Sequence, residues 1–311
     1  MRRSMPRIIA SLGVRPATRF ARHEIKRAFV RLHPWFNTND TCDDRAVIIG
    51  GCGRSGTTLL REMLDRHPNL AMGPETSILC DMFNPSNVAT EWQLSRAEVE
   101  ALARSSTSVV RFAESFFRQY SARRGKPRWG DKTPANVRNV ARILKQFPRA
   151  TFIHVIRDGR DVACSLRHHP KEIVRKGKII PNTVNRPIAV GARRWLDDTT
   201  GGAAFHGHPR VVEVRYEQLV SDPARELSRL CAALGEDFVP EMAAARDPDR
   251  APREPGRLMN NSNAGDPINT RSVARWKRDL SPTERQDFAR VAGELLVTLG
   301  YAKDHSWVVE G

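Results

Sequence analysis

The run Gly50-Gly51-Cys52-Gly53-Arg54-Ser55-Gly56-Thr57-Thr58 has the residue types of an anion-binding loop. Glycines let backbone N–H groups converge on one point, and a helix starting near Thr57 adds unpaired N–H groups and the positive end of its dipole. The spacing Gly51-x-x-x-x-Gly56-Thr57-Thr58 is that of a Walker A loop with two departures. Thr57 stands where an NTPase carries lysine, and a cation, Arg54, sits inside the loop. The loop is therefore expected to hold a phosphate outside a magnesium nucleoside triphosphate. Three further positions could act beside it. Glu75 is odd as a phosphate ligand but suited to accept a proton, with an N-cap or surface role as the alternative. Lys132, in Gly130-Asp131-Lys132-Thr133-Pro134, is either a site cation or a solvated loop lysine. Arg157 and Ser165 offer a guanidinium fork and a hydroxyl, which suits a terminal phosphate monoester. A salt bridge from Arg157 or Arg160 to a nearby carboxylate is the alternative.

Each of these residues needs a strand end to deliver it. Ala46–Ile49, Asn69–Met72, Thr151–Ile156 and Val211–Val214 read as short strands, Trp129 to Pro134 as a strand end passing to a helix, and apolar residues at helical spacing follow or separate them. The alternation predicts an α/β fold of the P-loop type: three layers, with a central parallel sheet flanked by helices. Ligands of such sheets sit beyond the carboxyl ends of the strands, so Glu75 and Lys132 should face the same crevice as the loop. Ser95-x-x-Glu98 and Ser281-Pro282-Thr283-Glu284 are capping boxes, and Thr133 is the expected N-cap before Pro134. Residues 170–187 read as a mobile basic loop that meets the acceptor, and 246–268 as a loop or lid.

A chain of 311 residues, 40% apolar and 28% charged, can bury one sizeable core. Its net charge of +16 implies polyanionic company: nucleic acid, anionic membrane or a multiply charged cofactor. The basic residues are spread without aromatic interleaving or a nucleic-acid motif, so no nucleic-acid partner is expected. Residues 1–33 carry nine Arg or Lys and one Glu among apolar residues. They fit a basic amphipathic helix on an anionic membrane as well as a packed or solvated terminal helix. The five cysteines are widely spaced, which points to reduced thiols in a cytoplasmic setting, and His168-His169 diverge on a helix, so no metal is assigned.

Taken together, the motifs resemble the sulfotransferases that use 3′-phosphoadenosine 5′-phosphosulfate (PAPS). Arg54-Ser55-Gly56-Thr57-Thr58 is similar to that family's 5′-phosphosulfate loop, and Arg157-Asp158-Gly159-Arg160 through Ser165 to its 3′-phosphate motif. Glu75-Thr76, Lys132 and Tyr216-Glu217-Gln218-Leu219 look most like the tyrosylprotein sulfotransferase branch and its bacterial relatives. The resemblance implies an enzyme that moves a sulfonyl group by in-line displacement to a hydroxyl of a carbohydrate, lipid, small metabolite or peptide tyrosine, leaving 3′-phosphoadenosine 5′-phosphate (PAP). It implies Glu75 as general base, Arg54 and Lys132 as catalytic cations, Arg54 to Thr58 around the 5′-phosphosulfate, Arg157 and Ser165 at the 3′-phosphate, and Tyr216 beside the nucleotide. There are departures. His169 stands where the animal enzymes carry an arginine, with Arg167 as the substitute; their late lysine falls nearest Asp266, with Arg271 as the replacement candidate. Those animal enzymes also carry an N-terminal membrane span and disulfides, neither of which is expected from this sequence. The expected organisation is a basic N-terminal helical extension over 1–44, a sulfotransferase domain over 45–301 and a tail over 302–311, in a cytoplasmic protein, membrane-peripheral if the extension binds lipid. A homodimer is left open.

Overall fold

The structure, a computed structural model, describes residues 35–36, 38–80, 85, 88–89, 92, 94–169, 184–244 and 268–309, together with the backbone of 172–175 and 178–181. The basic segment 1–33 and all but the last residue of the expected lid, 246–268, lie outside the described residues.

The strands are β1 (Val47–Gly51), β2 (Leu70–Met72), β3 (Arg128–Lys132), β4 (Thr151–Ile156), β5 (Glu172–Arg175), β6 (Lys178–Pro181) and β7 (Val211–Arg215). The helices are α1 (Thr57–Asp65), α2 (Arg96–Ser105), α3 (Val109–Arg123), α4 (Val140–Gln146), α5 (Gly159–Arg167), α6 (Ile188–Ala203), α7 (Tyr216–Ser221), α8 (Pro223–Leu234), α9 (Trp276–Asp279) and α10 (Pro282–Thr298). Five strands form one sheet in the order β2-β3-β1-β4-β7, parallel throughout. Parallel alignment puts Gly51, Met72, Lys132, Ile156 and Arg215 at one edge, so the phosphate loop and the segments carrying Glu75, Lys132, Arg157 and Tyr216 all leave the sheet on the same side.

Side chains alternate between the faces of a strand, and both faces here are covered. Ile48 and Phe152 pack with Phe112, Phe117 and Ile143 of α3 and α4. Val47, Ile49, Ile153 and Val155 pack with Leu60 and Leu64 of α1 and Leu227 and Leu230 of α8. Trp195, Phe288 and Leu166 join α5, α6 and α10 in a third cluster. Both predicted capping boxes form. The 170–187 segment differs from its reading as a loop. Its backbone makes an antiparallel β5–β6 hairpin, because the β-branched pairs Ile173-Val174 and Ile179-Ile180 favour extended chain on either side of Lys176-Gly177. Among the described residues, no helix is long and apolar enough to cross a membrane, and all five cysteines are buried free thiols.

His154, at the middle of β4, is fully buried and neither ring nitrogen has a hydrogen-bond partner. A Cβ on Gly202 of α6 would stand 2.4 Å from the ring, so a glycine is needed there. Burial pushes His154 down to about 4. The unfolded chain therefore takes up this proton near the ordinary histidine value of about 6.5 and the folded chain does so only near 4, so acid withdraws stability across that window. From about pH 7.5 to about pH 5 the loss is roughly 2 kcal/mol. The His154→Leu variant is expected to lack this component and to gain stability at neutral pH, because two unpaired buried nitrogens disappear. Urea titrations of both proteins at the two pH values check it; parallel acid limbs would refute it.

Candidate active site

The phosphate loop takes its shape from two left-handed residues, Arg54 at φ +77° and Gly56 at φ +94°. For arginine this backbone costs about 1–2 kcal/mol, and it is held from both ends. The Arg54 Nε donates to Ser165 Oγ (3.0 Å), and the Arg54 carbonyl accepts from Arg157 Nη1 (3.0 Å). Gly56 is the N-cap of α1 and offers no side-chain cap, and the first turn contains no acid, so the helix N–H groups stay available to an anion. A Cβ at Gly56 would lie 2.4 Å from the Tyr216 ring. The loop thus fits closely under that aromatic face.

The second corner follows β4. Arg157 is buried; besides the Arg54 carbonyl it bonds the Ser272 carbonyl through Nη2 (2.6 Å), and its guanidinium lies 4.4 Å over the Tyr216 ring. Trp195 Nε1 donates to the Arg157 carbonyl (3.0 Å). Asp161, one turn on and 3.9 Å from Arg157 Nη2, accepts the backbone N–H groups of Ala274 (2.9 Å) and Trp276 (3.0 Å) and so ties the segment after residue 268 to this corner. Burial pushes the Asp161 carboxyl up to about 6. Glu217 accepts the Asp158 N–H (2.9 Å) and the Tyr301 hydroxyl (3.0 Å). Burial and the neighbouring Arg157 and Arg275 charges lower the Arg54 guanidinium from its ordinary value.

Glu75 and Lys132 meet at the third corner. Lys132 Nζ donates to Glu75 Oε1 (2.5 Å) and to Thr58 Oγ1 of the phosphate loop (3.2 Å). The Lys132 side chain is 4% exposed and that of Glu75 43%. Burial lowers the Lys132 ammonium from its ordinary value, against the opposing pull of Glu75. Asp131 is buried behind them and burial pushes it up to about 6. Thr133 is the N-cap residue before Pro134, as expected, but its hydroxyl makes no cap bond and accepts the Ser77 N–H instead (3.1 Å).

Two groups of direct contacts, Ser165–Arg54–Arg157–Tyr216 and Thr58–Lys132–Glu75, thus stand at one edge of the sheet and are joined by the chain from Arg54 to Thr58. Arg271 is exposed, its backbone N–H bonded to Asn269 Oδ1 (3.1 Å). Arg167 pairs with Glu284 at the start of α10 (2.6 Å). His169 is pushed down to about 4, chiefly by burial and then by the Arg54, Arg194 and Arg186 charges, so it is neutral at physiological pH. Sequence reasoning missed Arg275, Asp161 and Glu217. Glu217 stands in the Tyr216-Glu217-Gln218-Leu219 motif without an assigned role, and Asp161 left a trace in its i,i+4 spacing to Arg157. Cys42, Asp44 and Glu114 bring three atoms of metal-ligand type within 4.8 Å of one another. Arg118 already occupies both carboxylates, at 2.7 and 2.8 Å, which makes the cluster an ion-pair network.

The donor set is one for anions. Ser55 Oγ and Arg157 Nε, both buried, have no hydrogen-bond partner and lie in the two corners, which fits a ligand with phosphate at each end.

Comparison with known proteins agrees with the fold. Nodulation protein NoeE of Sinorhizobium fredii is 28% identical over 279 residues, covering 81% of this chain and 64% of that protein. Protein-tyrosine sulfotransferase A of Caenorhabditis elegans is 29% identical over 191 residues, covering 59% of this chain and 48% of that one. The chain thus spans less than two thirds of either relative. Among solved structures, the sulfotransferase domain of the Synechococcus olefin synthase superposes with a TM-score of 0.58 at 21% identity, covering 84% of this chain and 97% of that one. Mouse sulfotransferase SULT7A1, solved in complex with PAP, superposes with a TM-score of 0.50 at 15% identity, covering 86% and 89%. Residues 46–240 match the model of the sulfotransferase family, from the first strand through the helix beyond β7, and the chain belongs to that family.

Proposed function

We propose that this protein transfers a sulfonyl group from PAPS to a hydroxyl acceptor. The reading rests on one observation: Arg157 of one anion corner bonds the Arg54 carbonyl of the other, while the Glu75–Lys132 pair bonds Thr58 of the same loop. When bound, PAPS supplies the activated sulfonyl group. Arg54, Ser55, Gly56, Thr57 and Thr58 hold its 5′ end, Arg157 and Ser165 its 3′-phosphate, and Tyr216 lies beside the nucleotide. Arg275 adds a cation near Arg54, and Arg271 is an outer contact from the same segment.

Glu75, half exposed toward the acceptor side, takes the proton of the attacking hydroxyl, and such help is worth about 10²–10⁴-fold. Lys132 bonds that carboxylate and reaches Thr58, so its ammonium would stabilise negative charge developing on the leaving oxygen. Most of the work is positioning and electrostatics.

The test is mass spectrometry of a panel of sugars, lipids, phenols and tyrosine peptides incubated with the protein and PAPS. A mass gain of one sulfonyl group on one class supports the reading and names the acceptor. No gain on any class, with magnesium-dependent ATP hydrolysis in its place, would overturn it.

A further inference from the structure

We propose that Thr76 and Asp131 act as the positioning pair for Glu75, a proposal that rests on the reading of Glu75 as the base. In the parallel ladder Met72 pairs with Gly130, and continuing that register would set Gly73 beside Asp131 and Pro74 beside Lys132. The side-chain contacts run the other way. Glu75 meets Lys132 (2.5 Å), and the next residue, Thr76, meets Asp131 (2.7 Å), so the order of the contacts is reversed where the base stands.

That reversal is held by buried hydrogen bonds. Thr76 Oγ1 donates to Asp131 Oδ1 and accepts the Ile78 N–H (3.1 Å), while Ser77 takes φ +56° and donates its N–H to Thr133 Oγ1. The other Asp131 oxygen accepts from Asn136 Nδ2 (2.7 Å), which also donates to the Ile49 carbonyl on β1 (3.1 Å). A continuous chain of bonds therefore runs from the strand that launches the phosphate loop to the residue beside Glu75. Thr76 is 2% and Asp131 1% exposed, whereas the Glu75 side chain is about half exposed. An exposed carboxylate on a loop loses its reactive geometry easily, and small misplacements of a catalytic group are costly. Burying the Asp131 charge is itself unfavourable, and the bonds from Thr76 and Asn136 offset that cost at both of its oxygens.

The test uses the full chain, with transfer kinetics and calorimetry of PAP binding run side by side. Thr76→Val removes the donor at nearly constant shape. It is expected to lower kcat about tenfold or more while acceptor KM and PAP affinity stay within about twofold, and Thr76→Ser is expected to restore kcat. Because Thr76 acts through Glu75, the double variant Glu75→Ala with Thr76→Val should be no slower than Glu75→Ala alone. Should Thr76→Val not fold, Asp131→Asn provides the same comparison. Wild-type kcat in Thr76→Val, no rescue by serine, or an added loss in the double variant would overturn the proposal. Failure of the wild-type protein to bind PAP or to transfer would instead overturn the functional reading beneath it.

Discussion

Glu75→Ala is expected to lower sulfonyl transfer by about 10²–10⁴-fold while PAP binding stays close to that of the wild-type protein. The argument is geometric. The Glu75 carboxylate bonds only Lys132 among the residues of the site, and its side chain is 43% exposed, so removing it empties the acceptor side without disturbing the loop. Lys132 retains Thr58 as a partner, which keeps the loop contact in place. Glu75→Gln, which keeps the shape and loses the basicity, should behave like the alanine variant. Radiosulfate transfer measured beside calorimetric titration with PAP separates the two effects, and wild-type turnover in either variant would refute the assignment of the base.

The second large effect is expected at Arg157. Arg157→Ala should weaken PAP binding by roughly 10–100-fold, the range of one charge-assisted hydrogen bond at about 1.5–3 kcal/mol. Arg157→Lys should recover little of the loss. Lysine keeps the charge but cannot bond the Arg54 and Ser272 carbonyls with a planar fork and stack on Tyr216 at once. Transfer at saturating PAPS should fall less than affinity does, since Arg157 stands at the corner away from Glu75. Unchanged affinity in the alanine variant would remove Arg157 from the nucleotide site and leave it as a brace for the loop.

Much of the molecule was readable from its amino acids. The glycine-rich loop, the apolar strand before it and the helix after it form one local unit, as do Thr151–Ile156 and the helix that follows, and the capping boxes name their own helix starts. The hairpin in the 170–187 region was not read, because two short β-branched pairs inside a basic, proline-bearing stretch carry little period. Thr133 takes the N-cap position that Pro134 signals, while its hydroxyl follows tertiary bonding and accepts the Ser77 N–H from a distant segment.

The amino-acid sequence by itself determined the two strand–turn–helix corners that carry Arg54 and Arg157 and the kind of sheet that holds them, because strand, turn and helix within about twenty residues answer to local sterics and hydrophobic period. Only the tertiary structure decided that Thr76 lies against Asp131, that Asp161 draws in the backbone of Ala274 and Trp276, and that Arg275 stands near Arg54. Those contacts join residues 55 to more than 200 positions apart. They depend on the order in which strands take their places in the sheet, and no local preference encodes that order.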